Sequence, residues 1–171
     1  MAAGVLLGCV ALGRVLALRL AAAYRPLTSM LGNHDRAVIV GTLSRCRLFG
    51  GMTDGAREAL ASHCRLRECE AGEFLCRQGE VGEELFVLAG GGVEVFTTNP
   101  VGEEAVLARR DEPGQYAGEQ SVRQEGAARR SANLRAFIPT RVVRVPKAQF
   151  LAAMAPDAEL RRRLQAEGEQ Q

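Results

Sequence analysis

From Arg65 onward the apolar positions fall in short runs separated by polar turns that carry glycine. The runs are Arg65–Cys69, Phe74–Cys76, Leu85–Ala89, Val93–Thr97, Ala105–Arg109, Asn133–Phe137 and Arg141–Val145. All have strand length rather than helix length. Leu85–Ala89 is apolar throughout, whereas Val93–Thr97 alternates and predicts a half-buried strand. The breaks at Ala71-Gly72-Glu73, Gln78–Gly82, Gly90-Gly91-Gly92, Asn99–Gly102 and Ile138-Pro139-Thr140 supply turn residues. Short strands at this spacing predict a mainly β fold, an antiparallel β-roll of the jelly-roll type, with N-terminal and C-terminal helices flanking it.

The flanks have a different pattern. Thr53 or Asp54 can cap a helix running to about Cys64, with Ala56, Leu60 and Cys64 on one face at spacing four. Gly32-Asn33-His34-Asp35 reads as a turn, and Arg36–Cys46 as helix or strand. Pro146 is placed to open a helix at its first position, with Phe150, Leu151 and Met154 as the apolar face. Pro156 restarts a last helix carrying Leu160 and Leu164. Residues 1–34 hold Arg14, Arg19 and Arg25 and no acid. The uncharged run Met1–Gly13 is shorter than the ~20 apolar residues of a membrane span. A helix lying on a neighbouring domain or a membrane surface is the first reading, with a span or a targeting segment behind it. The expected organisation is a 1–34 apolar segment, a 35–45 linker or helix, a 46–166 domain and a 167–171 tail.

Composition narrows the class. A chain of 171 residues supports one good core. A net charge of +2 argues against a general nucleic-acid binder. The basic residues are arginines apart from Lys147. Five cysteines, an odd number without a Cys-x-x-Cys pair, speak against zinc and against a disulfide framework, and for reduced thiols in a cytosolic setting. His34 and His63 both lie outside the β-run, so a metal-dependent enzyme on this scaffold lacks its ligands.

The candidate chemistry sits between Ala117 and Ala136. Gly118 allows close backbone approach, and Glu119 is a carboxylate suited to a hydroxyl. Arg129 and Arg130 offer planar forks that match phosphate oxygens, and Ser131 adds a hydroxyl. The competing reading is a surface loop whose ion pairs contribute ~0–1 kcal/mol.

The ordered set of Leu48-Phe49, Ala71-Gly72-Glu73, Gln78-Gly79-Glu80, Leu85–Leu88, Pro113-Gly114, Gly118-Glu119 and Arg130-Ser131-Ala132 resembles the cyclic nucleotide-binding domain family. The segment Arg130–Ala136 looks most like the bacterial catabolite-activator branch. The resemblance covers about Cys46–Leu164 and implies a short helix over Arg36–Cys46. It implies that Glu119 binds the ribose 2′-hydroxyl and that Gly118 brings backbone to the sugar. It implies that Arg130 pairs with the cyclic phosphate, with Ser131 and the Ala132 amide completing the cradle. Gln120 and Asn133 are added as ligand-facing positions, Asn133 toward the purine edge or N-terminal amides. One charge-assisted arginine bond contributes about 1.5–3 kcal/mol. Micromolar affinity needs about 8 kcal/mol, so sugar, amides and purine must supply the rest. Two positions depart from the family pattern, Ala117 in place of an aromatic and Gln120 in place of an apolar plug.

The resemblance implies a non-catalytic module that binds cAMP in preference to cGMP and moves its C-terminal helices. No cofactor, metal or nucleic-acid partner is expected. The expected partner is a membrane protein or an effector domain, in the cytoplasm or at the cytoplasmic face of a membrane. The alternative is a degenerate, non-binding β-roll that serves assembly. A helix-turn-helix is not expected in Asp157–Gln171, which is too short for one.

Overall fold

The computed structural model describes residues 33–124 and 126–154. Contacts divide the chain into two compact units, Met1–Arg36 and Ala37–Gln171. Of the first unit, residues 33–36 are described, and they are helical and exposed. The turn expected at Gly32–Asp35 is thereby corrected over its last three residues, because residues 33–45 are helical (α1). Asn and Asp suit the first turn of a helix as well as they suit a loop, so the local signal was ambiguous. The expected segment before residue 33 and the helix expected after Pro156 lie outside the described residues. Among the described residues, no helix is long and apolar enough to cross a membrane.

After α1 come a 3-10 turn at Arg47–Phe49 and helix α2, Asp54–Ala61. Thr53 caps α2, its hydroxyl accepting the Ala56 N–H at 3.3 Å. The buried face of α2 is Leu60 and Ala61, with Cys64 following, while Ala56 is exposed. The expected Ala56–Leu60–Cys64 stripe is therefore correct only at its C-terminal end. Ala56 sits in the first turn of the helix, and the buried residues come at its end.

Among the described residues eight strands follow: β1 Arg65–Cys69, β2 Phe74–Cys76, β3 Glu84–Gly90, β4 Val93–Thr98, β5 Glu104–Arg110, β6 Tyr116–Ala117, β7 Asn133–Ala136 and β8 Thr140–Pro146. They form two antiparallel four-stranded sheets, ordered β1-β8-β3-β6 and β2-β7-β4-β5. The short strand β6 was not expected from the sequence. Two residues carry no periodicity, and β6 exists because Phe86 and Val87 of β3 pair with it.

The continuous apolar run of β3 has a structural cause: both of its faces are covered. Leu85 and Val87 join Leu43, Phe49, Leu60, Val143, Val145 and Phe150 in a core shared with the helices. Phe86 and Leu88 join Leu75, Val93, Leu134, Ala136 and Val142 in a second core between the sheets. On β4 the expected alternation is overridden at Glu94, which is 6% exposed. Its carboxylate accepts from Arg135 Nη2 at 2.6 Å, and Arg135 also lies 4.3 Å over the Phe96 ring. A paired charge can thus occupy a buried position.

Pro146 proves to be the last residue of β8, opposite Glu84, and helix α4 runs Lys147–Met154. The strand begins one residue earlier than expected, at Thr140, and extends one residue past Val145, where the Lys147 N–H continues the pairing by donating to the Glu83 carbonyl at 2.8 Å. Phe150 and Met154 are buried, but Leu151 is 38% exposed, which corrects its place on the apolar face. Phe150 meets Phe49 edge-on, with ring centroids 6.3 Å apart. Phe150→Ala should cost about 3–5 kcal/mol of stability in urea denaturation. A loss below about 1 kcal/mol would show that α4 is not anchored by this ring.

Candidate functional site

Glycine 118 ends β6 with φ +83°, a left-handed conformation that allows the chain to turn directly into helix α3, Glu119–Arg123. Its missing side chain matters equally. A Cβ there would stand 2.4 Å from Arg130 Nη1. Arg130 lies on the return path, where its N–H donates to the Glu80 carbonyl at 2.7 Å. Arg130 as a whole is 7% exposed. Its Nη1 donates to the Gly118 carbonyl at 2.9 Å and to Ser121 Oγ at 2.7 Å, and Nη2 donates to the Glu84 carbonyl at 2.6 Å. The carbon of the guanidinium lies 5.2 Å from the centre of the Phe86 ring. Among the described residues, Arg130 Nε has no acceptor.

Arg129 occupies a different environment. It is exposed and donates from Nη1 to the Gly79 carbonyl at 2.7 Å. The two adjacent arginines are therefore distinct in the structure. Arg130 is enclosed within the cassette and Arg129 ties the outer loop.

A cavity of about 530 Å³ opens beside these groups. Gly118, Glu119, Gln120, Arg130, Ser131, Ala132 and Asn133 all line it. The opposite wall is apolar, from Cys76, Val95, Leu107, Ala108 and Leu134. The site thus pairs a polar, cationic side with an apolar one, the division that a phosphate attached to a flat ring requires. Ser131 Oγ donates to Gln120 Oε1 at 2.9 Å, a bond that closes the cassette on itself. Both polar atoms of Asn133 face the protein: Oδ1 accepts the Gln78 N–H at 3.0 Å, and Nδ2 donates to Thr98 Oγ1 at 3.0 Å. Burial pushes the Cys76 thiol up, with Arg130 pulling against that rise. The Cys64 thiol is pushed up to about 12 by burial, outweighing Arg65. Neither is a thiolate at neutral pH, so neither is an activated nucleophile. Among the described residues no group of three or more His, Cys, Asp or Glu side chains is placed to hold a metal ion.

Three contributors were not identified from sequence. Ser121 accepts from Arg130 and itself donates to the Gly118 carbonyl at 3.1 Å. Gly82 makes room for it, since a Cβ there would lie 2.1 Å from Ser121 Oγ and 3.0 Å from Arg130 Nε. Gly82 was legible only as a turn residue, because its requirement is for space, which sequence does not display. Lys147 is the third. It is 7% exposed and donates from Nζ to the carbonyls of Ser121 at 3.1 Å and Gly126 at 2.6 Å. The first residue of α4 thereby holds the same segment that Arg130 holds.

The chain is similar to proteins of a known family. The family model of the cyclic nucleotide-binding domain matches residues 66–157. The chain is 31% identical over 105 residues to the cyclic AMP receptor protein of Thermus thermophilus, covering 61% of this chain and 47% of that protein. It is 25% identical over 137 residues to the human cyclic nucleotide-gated channel alpha-3, covering 78% of this chain and 19% of the channel. The chain thus spans less than half the length of either curated relative. Among solved structures, the regulatory domain of Toxoplasma gondii PKA with cAMP superposes with a TM-score of 0.71 at 20% identity, covering 81% of this chain and 51% of that one, a likeness of fold. The Thermus thermophilus catabolite activator protein superposes with a TM-score of 0.60 at 28% identity, covering 70% of this chain and 55% of that one.

The close packing around Ser121 has a measurable consequence. Gly82→Ala should force Ser121 and the Arg130 side chain apart and lower stability by about 1–3 kcal/mol in thermal or urea denaturation. A variant as stable as the wild type would contradict the contact.

Proposed function

The chain belongs to the cyclic nucleotide-binding domain family, and from that premise we propose that it carries a regulatory module whose cassette holds a cyclic nucleotide through Arg130. The carrying observation is the buried Arg130 side chain at the edge of the cavity that Gly118, Glu119, Ser131 and Ala132 also line. A phosphate oxygen is a strong acceptor for a guanidinium. Ser131 and the Ala132 amide stand beside Arg130 on the cavity wall and would complete the phosphate cradle. Glu119 lines the same cavity and would take the ribose hydroxyl. The apolar wall of Val95, Leu107, Ala108 and Leu134 would take the purine. We favour cAMP over cGMP on Ser131, following the family resemblance.

In this proposal ligand binding is relayed to α4 through Ser121. Its hydroxyl accepts from Arg130, and its carbonyl accepts from Lys147 at the start of α4. A phosphate that draws the Arg130 guanidinium away from Ser121 loosens one side of that link. The role is binding and signalling rather than catalysis, and the effector would be a membrane protein or another domain. A second reading, a β-roll used for assembly without ligand, finds support in one observation. Arg130 already has three acceptors within the protein, and Gln120 already engages Ser131.

Calorimetric titration with cAMP and cGMP separates the two readings. Wild-type protein should bind cAMP more tightly than cGMP. Arg130→Ala should weaken cAMP binding by about tenfold or more. Absence of binding at millimolar nucleotide would favour the assembly reading. The relay is tested by hydrogen exchange across Lys147–Met154. Adding cAMP should alter exchange in the wild type and not in Lys147→Met. An equal response in both would exclude Lys147 from the relay.

A further inference from the structure

Three hydrogen bonds close a ring beside the cassette. The Gln78 N–H donates to Asn133 Oδ1, Asn133 Nδ2 donates to Thr98 Oγ1, and the Thr98 N–H donates to Gln78 Oε1, each at 3.0 Å. The ring joins the loop after β2, the end of β4 and the start of β7. Asn133 is 6% exposed, so the centre of the ring is shielded from water, where hydrogen bonds are stronger. An asparagine suits this place because one planar group must offer both an acceptor and a donor. Aspartate would offer acceptors alone, and leucine neither.

Each corner of the ring belongs to a different part of the cavity. Asn133 follows Ser131 and Ala132, which line the polar side. Gln78 leads into the two residues that hold the arginines. The Gly79 N–H donates to the Arg130 carbonyl at 2.8 Å, the Arg130 N–H donates to the Glu80 carbonyl at 2.7 Å, and the Gly79 carbonyl accepts from Arg129 Nη1 at 2.7 Å. Thr98 ends β4, which carries Val95 and pairs with β5, the strand of Leu107 and Ala108. Those three residues line the apolar side. Thr98 and Gln78 themselves lie outside the lining. The ring therefore fastens the apolar side of the cavity to the segment that bears Arg130.

We propose that Asn133 is a positioning residue for the ligand, setting the separation between the polar and apolar sides of the cavity. A rigid ligand that touches both sides at once depends on that separation to about 0.5 Å. The proposal rests on the cyclic-nucleotide reading given above and deepens it. It also gives Asn133 a role different from contact with the purine edge.

Thr98→Val tests the ring from outside the cavity, because it removes one ring oxygen at an exposed position and keeps the backbone N–H. In calorimetric titration of the full chain, Thr98→Val and Asn133→Ala should each weaken cAMP binding by about threefold or more, while Thr98→Ser should bind as the wild type does. The double variant should be no weaker than Asn133→Ala alone, since the bond is already lost. Hydrogen exchange without nucleotide gives a second reading. Thr98→Val should speed exchange at the Gly79 and Arg130 amides and leave the β8 amides unchanged. Faster exchange at those two amides with unchanged cAMP affinity would reduce the ring to a structural tie and overturn the proposal. Unchanged exchange there, or equal acceleration in β8, would overturn it as well. Should the wild type fail to bind cAMP, the cyclic-nucleotide reading falls, while exchange at Gly79 and Arg130 still decides whether the ring positions the cassette.

Discussion

A guanidinium keeps its charge wherever it is placed, so burying Arg130 commits the surrounding chain to supplying acceptors. Leaving such a charge unmatched costs several kcal/mol. The carbonyls of Gly118 and Glu84 and the hydroxyl of Ser121 meet that need from three separate places in the sequence. Each then constrains its own neighbourhood. Residue 118 must be glycine because both its φ and its lack of a Cβ are required, and residue 82 must leave space for Ser121. The cassette is shaped by how Arg130 is held, and the cavity beside it follows from that shape.

The two-sheet fold makes this arrangement possible. Strand β3 faces the helices with Leu85 and Val87 and the interior of the roll with Phe86 and Leu88. Phe86 thereby comes to lie under Arg130, and the Glu84 carbonyl at the strand's start accepts from its Nη2. Strand β8 leads into α4, where Lys147, the one lysine of the chain, repeats the same solution. It is a buried cation satisfied by backbone carbonyls of the cassette. Arg130 and Lys147 therefore hold the α3 segment from opposite ends of the same residue, Ser121. Charge in the second sheet is treated differently, since Glu94 is matched by Arg135 and Arg109 rather than by backbone.

Much of this was legible in the sequence. Strand positions emerged because apolar runs of five or so residues between glycine turns have few other ways to fold. The elements that were misplaced depend on tertiary contacts. Pro146 stayed in a strand because Glu83 accepts the next N–H, and Leu151 was left outside the core by the direction in which α4 meets the sheet. In the cassette, the Ser-Ala that follows Arg130 ranked it above Arg129 through the family resemblance, whereas residue types alone did not. The structure separates the two by burial and by partners, and Asn133 shows its role through Gln78 and Thr98, distant in sequence. Ser121, Gly82 and Lys147 belong to no motif, and only packing reveals them.

The most direct measurement is the Arg130 Nε–H resonance, followed by nuclear magnetic resonance as cAMP is added and assigned by its loss in Arg130→Lys. This donor has no acceptor among the described residues. If a cyclic phosphate engages Arg130, the resonance should move downfield and its exchange with water should slow as the site fills. An Nε–H signal unchanged at saturating nucleotide would contradict Arg130 as the phosphate-binding residue.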